Sequence, residues 1–74
     1  MSDLKTKIVI ETKDLYVYNF VSRLTKTEIN EKFNYLYKET SAHHIGFMYE
    51  SGSLCYLPTY LLTDAIITLK DYDK

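Results

Sequence analysis

The residues of this chain best suited to chemistry are His43, His44 and Cys55. Two imidazoles suggest a metal site or a general base, and a thiol beside one of them would suggest a nucleophile and its base. Adjacent residues on an extended chain point to opposite sides, however, and no Cys, Asp or Glu stands at a metal-site spacing from the pair. His43 and His44 therefore read as a solvated connector. Cys55 lies in no nucleophile signature, and as the only cysteine it forms no internal disulfide; it reads as a core or half-buried thiol. Glu28, Glu31 and Glu39 are interleaved with Lys32 and Lys38 on one helical side. Asp64, Asp71 and Asp73 have no partner carboxylate at a fixed spacing. With only Gly46 and Gly52, no phosphate-cradling loop is available. The expectation is a non-enzyme with no catalytic, metal or cofactor site.

The elements follow from pattern. KIVIET (7–12) and LYVYNFVSR (15–23) read as two strands joined by a two-residue loop, Lys13-Asp14. Thr25 and Glu28 form a capping box, flanked by Leu24 and Ile29 as a hydrophobic staple. Ile29, Phe33, Leu36 and Tyr37 then recur at helical spacing, which predicts a helix over about residues 26–39. After the connector TSAHH, IGFMYE and SLCYLP read as a second hairpin through Ser51-Gly52, with Cys55 opposite Met48. Pro58 closes its strand or marks an edge. TYLLTDA is a turn or one helical turn, AIITLK a last strand, and DYDK (71–74) a polar tail. The predicted class is α+β: a largely antiparallel five-stranded sheet in the order β-β-α-β-β-β, with the helix on one face.

At 74 residues the chain is one domain, 1–74, of marginal size, and domains this small often gain burial by pairing. A formal charge of −1 excludes the large single-sign field of a strongly basic nucleic-acid binder or an acidic DNA mimic. The start lacks a signal peptide's apolar region and no run approaches a bilayer span, so the expected location is the cytoplasm.

The first hairpin carries the functional expectation. A two-residue loop pairs Thr12 with Leu15, Ile10 with Val17 and Ile8 with Asn19. Ile8, Ile10, Leu15, Val17 and Val21 then form an aliphatic face for the helix, and Lys7, Val9, Glu11, Tyr16, Tyr18 and Phe20 face outward. Three rings in a row on a surface mark a contact site. Tyr16, Tyr18 and Phe20, rimmed by Lys7 and Glu11, are the expected partner-binding residues, with Tyr35, off the helix's apolar stripe, as a further anchor. The function expected is a protein-interaction module, homodimeric, that acts as an inhibitor or accessory regulator of a protein partner, as compact phage and mobile-element proteins do. The alternative is a single-stranded nucleic-acid binder that stacks bases on the same rings.

Overall fold

The computed structural model of the protein describes residues 3–38 and 44–72, and in the helix the side chains as far as Tyr35. Five strands, β1 (Thr6–Glu11), β2 (Val17–Ser22), β3 (His44–Met48), β4 (Leu54–Pro58) and β5 (Ile66–Asp71), form one antiparallel sheet in the order β4-β3-β2-β1-β5. The helix α1 (Lys26–Lys38) follows β2, and a 3₁₀ turn (Thr59–Leu62) follows β4. The α+β architecture is the one the sequence pattern predicts. Pro58 both ends its strand and lies on an edge strand. His43 and Glu39 lie outside the described residues, as do Asp73 and the side chains of Leu36, Tyr37 and Lys38.

The capping box forms as expected: the Thr25 N–H donates to Glu28 Oε1 at 3.0 Å, and the Glu28 N–H donates to Thr25 Oγ1 at 3.2 Å. The backbone donor of Thr25, then its hydroxyl, hold the Glu28 carboxyl below its ordinary pKa. The turn into the helix is also pinned from below. Thr6, fully buried, donates its hydroxyl to the Leu24 carbonyl at 2.7 Å, so the buried hydroxyl and an orphan carbonyl satisfy one another.

Both hairpins depart from expectation by one residue, and for the same reason. Each loop has three residues instead of two. In the first, the Thr12 N–H donates to the Tyr16 carbonyl at 2.8 Å and the Leu15 N–H to the Thr12 carbonyl at 2.9 Å. In the second, the Tyr49 N–H donates to the Ser53 carbonyl and the Gly52 N–H to the Tyr49 carbonyl, both at 2.8 Å. This is a turn followed by a left-handed residue. Leu15 takes that position with φ 68° and Gly52 with φ 95°.

The extra residue reverses the faces of β2. Ile8 now pairs with Phe20, Ile10 with Tyr18 and Glu11 with Val17, so Tyr18 and Phe20 point to the helix side. Phe20 is 1% exposed and is the hub of the core: its ring stacks on Phe47 at 4.7 Å and on Tyr18 at 5.7 Å, and meets Tyr49 at 5.0 Å. Ile8, Ile10, Ile29, Phe33, Leu57 and Leu62 complete that core. The expected aliphatic face is thus corrected: Leu15 and Val17 are exposed, and the rings of Tyr18 and Phe20 take their place. In the second hairpin Cys55 pairs with Phe47 instead of Met48.

Candidate interaction surface

The face of the sheet away from the helix carries Lys7, Val9, Glu11, Val17, Asn19, Val21, Met48, Leu54, Tyr56, Ile66, Thr68 and Lys70, as the registers require. One part of it is closed. Tyr72 holds Lys7 Nζ 5.8 Å from its ring centroid and donates its hydroxyl to Glu50 Oε2 at 3.2 Å, across β1 and β2, which lie between β5 and the β3–β4 loop. Burial first, and then the Glu50 hydrogen bond, push the Tyr72 phenol above its ordinary pKa. Val21, though on this open face, is 5% exposed.

Among the described residues, exposed apolar side chains gather at two places on the sheet. The first is the tip of the β1–β2 hairpin, where Leu15, Tyr16 and Val17 are exposed and Ile66 of β5 lies in the same row as Val17, with Glu11 between them. Leu15 is 81% exposed in a backbone conformation that costs a non-glycine residue roughly 1–2 kcal/mol. Thr12, nearly buried, supports this geometry by accepting the Tyr16 N–H on its Oγ1 at 3.2 Å. The second surface is β4, where Leu54 and Tyr56 are exposed and the Tyr56 ring lies against Gly46; a Cβ on Gly46 would meet that ring at 3.0 Å.

The expected partner-binding residues are therefore dispersed. Tyr16 and Glu11 belong to the hairpin tip. Phe20 is core, Tyr18 is half-buried against the core, and Lys7 lies beneath Tyr72. Tyr35 is exposed on the helix, beside a cleft of about 660 Å³ between α1 and β3. That cleft has an apolar floor, including Ile8, Ile29, Phe33 and Phe47, and a rim of mixed sign, including Glu28, Glu31 and Lys32. Leu15, Val17, Ile66, Leu54 and Tyr56 were not reached by sequence reasoning. A three-residue loop in the first hairpin would have placed Leu15 and Val17.

The same placement separates the thiol from the imidazole. Cys55 points to the core face and His44 to the open face, so the two do not meet. The hydrogen bond to Cys55, then burial, push the Tyr49 phenol above its ordinary pKa. Among the described residues no group of three or more His, Cys, Asp or Glu is placed to hold a metal ion. None of the described helices is long and apolar enough to cross a membrane.

The class defined by this geometry is a small α+β domain with one covered and one partly open sheet face. No family model matches the chain, and no curated protein or solved structure matches it either.

Proposed function

We propose that the chain is a non-enzymatic protein-interaction module, homodimeric and cytoplasmic, that acts as an inhibitor or accessory regulator of a protein partner, in the manner of phage or mobile-element accessory proteins. The observation that supports this reading most is Leu15: a large apolar side chain, almost fully exposed, held in a strained conformation at the hairpin tip beside Tyr16, Val17 and Ile66. Backbone strain that a glycine would relieve is retained where a side chain has work to do. Glu11 sits in the row between Val17 and Ile66, so the matching partner surface is an apolar recess with a cation opposite that carboxylate. The stacking-platform alternative loses support, because Phe20 is buried and Tyr18 is packed on the core.

A comparative pull-down tests the reading. Wild-type chain, Leu15→Gly and Tyr35→Ala serve as baits in lysate of the source cell. A protein retained by the wild type and Tyr35→Ala but lost with Leu15→Gly is expected. Identical retention by wild type and Leu15→Gly contradicts the tip as the contact.

A further inference from the structure

Edge strands expose unpaired N–H and C=O groups, and folded proteins blunt them with charge, proline or a covering element. The two edges of this sheet differ in that respect. β5 carries Lys70 and Asp71, and Asp71 is ion-paired to Lys26 of the helix at 3.2 Å. β4, Leu-Cys-Tyr-Leu-Pro, carries no charge, and its only blunting residue is Pro58 at the far end.

The phase of the β4 edge follows from its hairpin. The Tyr49 N–H donates to the Ser53 carbonyl, which makes 49/53, and hence 47/55 and 45/57, the hydrogen-bonded pairs of the β3–β4 ladder. The N–H and C=O of Leu54 and Tyr56 therefore point away from β3, out of the sheet. Pro58, the next outward position, has no N–H to offer.

We propose that β4 is the self-association strand, pairing antiparallel with β4 of a second copy about a two-fold axis at Cys55. This deepens the homodimer half of the reading above and rests on it. In this register Leu54 and Tyr56 of the partner form a hydrogen-bonded pair, and by symmetry Tyr56 and the partner's Leu54 form another. The four outward groups of Leu54 and Tyr56 in each strand are satisfied. The exposed Leu54 side chain lies against the partner's Tyr56 ring on the open face, which makes a continuous apolar strip across the junction. The result is one ten-stranded sheet with both helices on one side and both hairpin tips free. A partner of a different kind has no comparable match, because the strand offers only two backbone pairs, no charge and a side-chain pair that complements itself.

The two Cys55 residues face each other in a non-hydrogen-bonded pair, at which antiparallel strands bring Cα atoms to about 4.5 Å, within disulfide reach. That gives a direct probe. Treated with diamide at about 100 μM protein, two Cys55 thiols lose two protons and two electrons to the reagent, which becomes the hydrazine, and one disulfide joins the protomers. Wild type is expected to cross-link quickly. Leu54→Pro removes an outward N–H without touching the β3 ladder, at the first position of its strand, and is expected to slow cross-linking roughly tenfold or more while circular dichroism shows the native fold. Leu54→Lys, which keeps the N–H and removes the apolar contact, checks the same strand if the proline variant does not fold. Cross-linking in wild type that both variants slow supports the proposal. A wild type that light scattering shows to be dimeric, yet that resists cross-linking or is unaffected by either folded variant, overturns this interface and leaves the homodimer reading standing. A monomeric wild type overturns both.

Discussion

Leu15 and Gly52 occupy the same position of the same three-residue hairpin loop, one with φ 68° and the other with φ 95°. The second hairpin uses the residue that suits the conformation, and the first uses a branched apolar side chain with no Cβ-free alternative. Local stability does not explain that choice; the proposed role of the exposed tip in contact does.

Leu15→Gly separates those two roles. Relief of strain, roughly 1–2 kcal/mol, is offset by roughly 0.5–1 kcal/mol of added backbone entropy in the unfolded chain. Thermal denaturation should show an unchanged or raised midpoint, by up to about 6–12 °C. A fall in the midpoint would mean that the Leu15 side chain is structural.

Phe20 and Tyr16 test the register. Phe20→Ala should cost about 3–5 kcal/mol, enough to unfold most of a domain this small, whereas Tyr16→Ala should stay within about 0.5 kcal/mol. Urea titration of the two variants checks this. Equal costs would contradict the assignment of Phe20 to the core and Tyr16 to the hairpin tip.

The helix start makes a pH-dependent contribution. Glu28 has a folded-state pKa below its unfolded value, so its stabilisation is present above the unfolded value and is lost as pH falls through the folded one. Urea titrations from neutral pH downward should therefore lose less stability across that acid window in Glu28→Gln than in wild type. Thr25→Ala should cost about 1 kcal/mol at neutral pH. Parallel acid limbs in wild type and Glu28→Gln would show that the carboxyl does not cap the helix.

Much of this was legible in the sequence where the signal is local. Thr25, Glu28, Leu24 and Ile29 announce the helix start by type and spacing, and β-branched runs announce the strands. The faces of β2 were not legible, because its ring alternation fits either face and only the loop length decides between them. Lys13-Asp14 has the length of the common tight turn, and the third loop residue, Leu15, is of a type that gives no sign of a left-handed conformation. Ser51-Gly52 misled in the same direction, although Gly52 does mark the left-handed position. The closure of the open face by Tyr72 and Glu50 depends on residues 22 apart in the chain. No local pattern encodes it.

Sedimentation equilibrium of the wild-type chain across a range up to about 100 μM tests the proposed module most directly. The apparent mass is expected to rise with concentration toward twice the 8.7 kDa of a single chain. A mass that stays at that of one chain over the whole range would contradict the homodimer.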